Sequence, residues 1–276
     1  MHSVRTSENK IPADLYQTLL SISNKIPVCI LSSKDYFFLK DKVDFASIIS
    51  CVNGIENFIR IKENNNPLST EMEEGRSTQT LNNFNYNCVL DKKQITENSL
   101  VFNNIVKEIK NTFRDLLVEE KHCYAKGEIL GITVDYRNQL KWDIYKENIE
   151  PKILRIVQKH TELSSSPYKS KIFVQTYDHH PFVDIYTSDH NKGQALFKIK
   201  EMLNLDSGDK VLYLGDSEND NTAFRNTDLG ISIHSSEKLN IKLASHYTLE
   251  FNELRPFLND LENKDFYFSR MNDIVI

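Results

Sequence analysis

A doubly wound α/β fold interrupted by an inserted α+β domain is what the sequence predicts, and three observations carry that prediction. Short uninterrupted apolar runs at Pro27–Leu31, Ser47–Val52 and Val211–Leu214 suit strands buried on both faces of a parallel sheet. Helical periodicities separate such runs at both ends of the chain, which is the rhythm of a doubly wound sheet. The middle of the chain breaks that rhythm with helix, two strands, helix, two strands, an α+β layer.

The first helix is set by Ile11, Leu15, Leu19 and Ile22, which share one helical face between about Pro12 and Ser23. The strand at 27–31 ends in Ser32-Ser33-Lys34, and the strand at 47–52 ends in Asn53-Gly54. From about Asn64 to Lys93 the chain is polar and reads as a loop and a boundary. A helix over about Ser99–Leu117 follows, with Val101, Ile105, Ile109, Phe113 and Leu116 on one face. Strands are predicted at His122–Ala125 and Ile129–Tyr136 around a Lys126-Gly127 turn, then a helix over Ile144–Lys159. Two more strands, Ile172–Thr176 and Phe182–Tyr186, close the insert. The α/β rhythm resumes with a helix from Lys192 and the strand Val211–Leu214, then a helix to about Arg225 and the strand Leu229–Ile233. A helix at Ser236–Ala244, a strand at His246–Leu249 and a helix over Glu253–Leu261 end the pattern. The expected organisation is core at 1–82, inserted domain at 83–186 and core again at 187–276.

Composition excludes several classes. Across 276 residues, 34 Lys and Arg against 39 Asp and Glu give a net charge of −5, which argues against a general nucleic-acid binder relying on a basic surface. No apolar run reaches the length of a membrane helix, and the first ten residues lack a signal-peptide core, so a cytoplasmic location is expected. Cys29, Cys51, Cys88 and Cys123 are widely spaced, with no CxxC pair, and read as free thiols.

The chemistry concentrates in Gly215-Asp216-Ser217-Glu218-Asn219-Asp220, at the carboxyl end of a buried strand, where ligands of open α/β sheets collect. Asp216 and Asp220 can face one hard cation across that turn, and oxygen ligands with incomplete enclosure suit Mg²⁺. An acidic turn that only caps the next helix is the competing reading. Lys192 opens a helix, a combination suited to holding phosphate, although a solvated lysine would look the same. Ser32 and Ser33 end the first strand, where a hydroxyl and following amides can hold phosphate oxygens or can simply cap a helix.

Taken together, the strand ending in Ser-Ser-Lys, the Asn-Gly pair, the α+β insert, Lys-Gly at a helix start and the strand ending in GDSxND resemble the haloacid dehalogenase superfamily. More narrowly they resemble its sugar-phosphate phosphatases, the group that includes trehalose-, sucrose- and mannosylglycerate-phosphate phosphatases. The resemblance runs from about Ile11 to Leu261 and implies a Rossmann-like core with an α+β cap. It implies that Ser32 is a phosphate-binding hydroxyl, that Lys192 neutralises nucleophile and phosphate, and that Asp216 and Asp220 hold Mg²⁺ directly or through water. Ser33, Asn53, Gly54 and Asn219 would line the substrate. In the cap, Val118-Glu-Glu-Lys121, Val134-Asp-Tyr-Arg137 and Phe182-Val-Asp-Ile185 are similar to the trehalose-phosphatase stretches Glu-x-Lys, His-Tyr-Arg and Val-Glu-Ile. That similarity implies that Glu119, Lys121 and Asp184 read sugar hydroxyls, with Arg137 also on the substrate; a pocket that pairs a hydroxyl rejects analogues lacking it.

Three departures bear on activity. Asp184 stands where the trehalose family has Glu, and Asp135 where it has His. GDSEND follows the sucrose and mannosylglycerate type. The superfamily's opening Asp-x-Asp-Gly-Thr supplies the nucleophile and the general acid/base, yet no Asp-x-Asp occurs in this sequence. The first helix matches the one that follows that motif, so the resemblance puts the missing strand and its aspartates ahead of Met1. The expectation is a Mg²⁺-dependent phosphatase acting on a small sugar phosphate through an aspartyl-phosphate, with neither nucleic acid nor membrane as partner. A non-catalytic sugar-phosphate-binding protein on the same fold is the alternative, and a phosphomutase is a weaker third.

Overall fold

Helix α1 (Ala13–Ser23) turns Leu15, Thr18 and Ile22 inward, the face that the sequence predicts. There Leu15 and Ile22 join Leu254, Phe257, Leu258 and Leu261 of the closing helix α7 (Phe251–Asn263) in one apolar cluster. The structure, a computed structural model, describes residues 10–61, 77–81, 84–90, 92–139, 141–162, 172–234 and 243–267.

The core strands lie in two sheets. In the first, β1 (Cys29–Leu31) runs parallel to β2 (Ile48–Cys51), and β3 (Glu56–Ile61) continues it antiparallel. Two further antiparallel strands, β5 (Phe84–Leu90) and then β4 (Ser77–Leu81), complete the order. The second sheet is parallel throughout: β10 (Leu212–Gly215), β11 (Leu229–His234) and β12 (Tyr247–Glu250). Helix α5 (Lys192–Met202) ties the two together, because its Leu196 packs with Leu31 of β1 and Tyr213 of β10. A short helix, α2 (Tyr36–Leu39), follows β1, with Asp35 capping it through the Phe38 amide at 3.0 Å.

The loop expected between 64 and 93 is corrected by β4 and β5. The cause is composition: Phe84-Asn-Tyr-Asn-Cys-Val-Leu90 has a period of two, but asparagines occupy the alternate positions and mask it. Strand β3 opens with Glu56-Asn57, a polar pair that is nevertheless buried. Residues 62–76 of that expected loop, and 235–242 with most of the helix expected at Ser236–Ala244, lie outside the described residues.

The inserted domain is a four-stranded antiparallel sheet in the order β6 (Leu117–His122), β7 (Ile129–Asp135), β9 (Phe182–Tyr186), β8 (Phe173–Gln175). Helices α3 (Lys92–Thr112) and α4 (Trp142–Glu162) cover one face, burying Ile105, Ile109, Ile149 and Ile153 on Ile132, Val134, Val183 and Ile185. Strand alternation sends Glu119, Lys121, Thr133, Asp184 and Tyr186 to the other face. Strand β6 starts five residues before the predicted one because Glu119-Glu120-Lys121 looks exposed in sequence, whereas Lys121 is fully buried in an ion pair. The β6–β7 turn enters the core: Cys123 and Leu130 belong to the cluster of Phe58 and Tyr36, and the Tyr124 ring lies 4.9 Å edge-on to Tyr36. Tyr213, at the centre of β10, is joined by helix α6 (Asn221–Phe224) through a ring contact with Phe224 at 5.3 Å.

Candidate active site

Loops at the carboxyl ends of β1, β2 and β10 meet the start of α5. Helix α5 begins with a capping box, Asn191 accepting from the Gln194 amide at 3.1 Å, which fixes Lys192 as its first residue. The Lys192 ammonium donates to Asp220 Oδ1 at 2.6 Å, and the Tyr213 hydroxyl donates to the same oxygen at 2.5 Å. Asp220 Oδ2 accepts from the Asp216 and Ser217 amides at 3.1 and 3.0 Å and from Ser217 Oγ at 3.0 Å. Five donors therefore saturate one carboxylate. Burial opposes its charge, but the Lys192 ammonium outweighs that and holds the Asp220 carboxyl below its usual range. Asp220 thus shapes the loop and fixes Lys192, while Asp216 sits half-buried at the strand end.

Ser32 is held in a mesh of backbone bonds. Its amide donates to Ser50 at 2.9 Å, its Oγ accepts from the Lys34 amide at 3.1 Å, and its carbonyl accepts from the Asn53 amide at 3.0 Å. Val52, Asn53 and Gly54 all have left-handed backbones, with φ of 48°, 56° and 91°. For a β-branched valine that is a strained conformation, of the kind that collects at functional sites. Gly54 is required there twice over, since a Cβ would also lie 2.5 Å from Ala195 Cβ of α5. The turn after β2 is thereby tied to Ser32 at the end of β1 and seated on α5 at Ala195, three residues after Lys192.

The polar face of the inserted domain closes on these loops. Lys34 pairs with Glu119 at 2.5 Å, Asp35 accepts from the His122 amide at 3.0 Å, and Glu218 accepts from His180 Nδ1 at 2.8 Å and the His179 amide at 3.0 Å. Lys121 donates to Asp184 at 3.0 Å and to Thr133 at 2.6 Å, and Asp184 also accepts from the Tyr177 hydroxyl at 2.7 Å and from the Thr133 hydroxyl. Burial works against the Asp184 charge, and Lys121 with these hydroxyls overcomes it, keeping its carboxyl low. Arg137 does not join: it is exposed, pairs with its neighbour Asp135 at 2.7 Å, and lies beyond the end of β7. Asn219 accepts from Ser217 Oγ at 2.6 Å and stays within its own turn.

A divalent cation would meet the Asp216 carboxylate at the strand end, beside an Asp220 carboxylate that already accepts from five donors; among the described residues no group of three His, Cys, Asp or Glu could hold a metal. That donor set suits Mg²⁺, which keeps waters and binds through one or two carboxylates plus phosphate. Sequence reasoning missed Lys34, His180, Tyr213 and Tyr186. Lys34 stood beside the serines it had singled out, and Tyr186 ended a predicted strand, but their partners are distant in sequence.

Comparison with known proteins bears on the fold. Residues 132–255 match a family model described as haloacid dehalogenase-like hydrolase. SMU.1108c from Streptococcus mutans superposes with a TM-score of 0.58 at 14% identity, covering 95% of each chain. A trehalose-6-phosphate phosphatase related protein gives 0.57 at 15% identity over 94% of this chain and 90% of its own. The trehalose-6-phosphate phosphatase of Aspergillus fumigatus gives 0.54 at 14% identity over 94% and 87%. No curated protein matches the sequence. The fold is that of haloacid dehalogenase-type hydrolases, and it resembles the sugar phosphatases among them. No helix among the described residues is long and apolar enough to cross a membrane.

Proposed function

We propose that this chain carries the phosphate- and metal-holding part of a Mg²⁺-dependent phosphatase acting on a sugar phosphate of the trehalose- or sucrose-phosphate kind. The observation that carries the reading is the Lys192–Asp220 pair, buried between a strand-end acidic loop and the start of the helix on which the Asn53-Gly54 turn packs. In that reading Ser32 Oγ and the amides after it take phosphate oxygens. The Lys192 ammonium, at the first turn of α5, offsets phosphate charge, and Asp216 orients the cation. Mg²⁺, when bound, neutralises charge on the phosphoryl group. An aspartate ahead of Met1 would attack phosphorus and displace the sugar oxygen, which takes a proton from a second aspartate. Water would then hydrolyse the aspartyl-phosphate. Glu119, Lys121 and Asp184 of the cap would face the sugar, and the cap would exclude bulk water.

The absence of any Asp-x-Asp favours a second reading, a protein that binds sugar phosphates without hydrolysing them. One experiment separates the two. Phosphate release from a panel of sugar phosphates with Mg²⁺ is measured for this chain and for the chain extended by its upstream reading frame. Release by the extended chain that vanishes with Asp216→Ala supports the phosphatase. Binding without release in both forms supports the second reading, and neither binding nor release overturns both.

A further inference from the structure

Among the described residues, only two buried side-chain polar atoms lack a partner, and one of them is Asn53 Oδ1. Asn53 is 1% exposed, left-handed, and bonded through its amide to the Ser32 carbonyl, so the orphan atom belongs to the loop mesh of the candidate site. Its amide orientation is fixed from the other side. The Tyr186 hydroxyl of the cap accepts from Lys121 at 3.4 Å and interacts with both Asp184 and Asn53. Because Oδ1 is the atom without a partner, Nδ2 is the end of the Asn53 side chain that meets Tyr186, and Oδ1 is turned the other way. Gly131 lets the Tyr186 ring lie there, since a Cβ would come within 2.6 Å of it. A buried chain thus runs Lys121, Asp184, Tyr186, Asn53, and ends on an acceptor with nothing to accept from.

We infer that Asn53 Oδ1 is a specificity atom that accepts a hydrogen bond from a hydroxyl of the substrate's sugar. This rests on the proposed function, and it names the group that distinguishes a sugar phosphate from phosphate itself. A buried acceptor left unpaired costs stability, which a bound hydroxyl would return as affinity. The strained Val52–Gly54 turn is consistent with a position held for a ligand rather than for the fold.

The test is calorimetry with Mg²⁺, using inorganic phosphate and a panel of glucose, trehalose and sucrose phosphates, on the wild type and Asn53→Gly. Glycine tolerates the left-handed backbone and removes the side chain, Oδ1 together with the Nδ2 contact to Tyr186. The inference expects at least one sugar phosphate to bind more tightly than phosphate. It expects Asn53→Gly to weaken that ligand roughly three- to tenfold while phosphate affinity stays unchanged. Equal weakening of both ligands, or no change in either, overturns it, the latter meaning that a structural water satisfies the atom. Phosphate binding with no tighter sugar phosphate also overturns it but leaves the phosphate site standing. Failure of every ligand to bind overturns the proposed function and the inference with it.

Discussion

Replacing Glu56 with Gln should change how stability depends on pH, by an amount that follows from where the carboxylate sits. Glu56 opens β3, is fully buried, and reaches under the β6–β7 turn of the cap. It accepts from the Tyr124 amide at 3.0 and 3.2 Å and from Cys123 Sγ at 3.3 Å. Burial is the dominant influence and raises its pKa from 4.5 to about 7, against the smaller opposing pull of those donors. Because the folded value lies above the unfolded one, the folded state binds the proton more tightly. Its contribution is complete below pH 4.5 and is lost as pH rises to about 7. The gap corresponds to about 3 kcal/mol in all, of which roughly 2–3 kcal/mol falls between pH 5 and pH 8. Glutamine keeps an acceptor for Tyr124 and cannot ionise. Urea unfolding of both proteins at the two pH values should therefore show Glu56→Gln gaining roughly 2–3 kcal/mol relative to wild type on going from pH 5 to pH 8. A difference between the proteins that is the same at both pH values would refute the reasoning.

Three other outcomes are expected. Asp220→Ala strands Lys192 and Tyr213 in a buried site and should cost about 3–5 kcal/mol in denaturant unfolding, whereas Asp216→Asn at the half-buried strand end should cost much less. Lys121→Met alone should cost about 3–5 kcal/mol by leaving Asp184 charged and unpaired, and the double variant with Asp184→Leu should recover most of it in a double-mutant cycle. Glu218→Gln weakens the bond to His180, so hydrogen exchange of the 177–182 amides should quicken while that of β11 stays unchanged.

The elements were legible in sequence wherever apolar runs and helix faces were uninterrupted, as at α1, β2 and α7 of the core and β9 of the insert. Legibility failed at β3, β5 and β6, where Glu56, the Asn85/Asn87 alternation and Lys121 put polar residues in strand positions. Those residues are polar because their partners are long-range: Tyr124 for Glu56, Asp184 for Lys121. Single-sequence periodicity cannot see such pairs. The same limit applies to the candidate site. Ser32, Lys192, Asp216 and Asp220 stood out because each ends a strand or starts a helix, a local signal. The saturation of Asp220 by Tyr213, the Lys34–Glu119 bridge and the orphan oxygen of Asn53 arise only when distant segments meet.

The central claim is that these strand-end loops and α5 form one site for a phosphate together with a divalent cation. Calorimetric titration of Mg²⁺ with and without inorganic phosphate tests it most directly. The account predicts that each ligand tightens the other, that Asp216→Ala abolishes the Mg²⁺ heat, and that Lys192→Ala weakens phosphate. Mg²⁺ and phosphate that bind independently of each other, or that bind equally well to both variants, would contradict it.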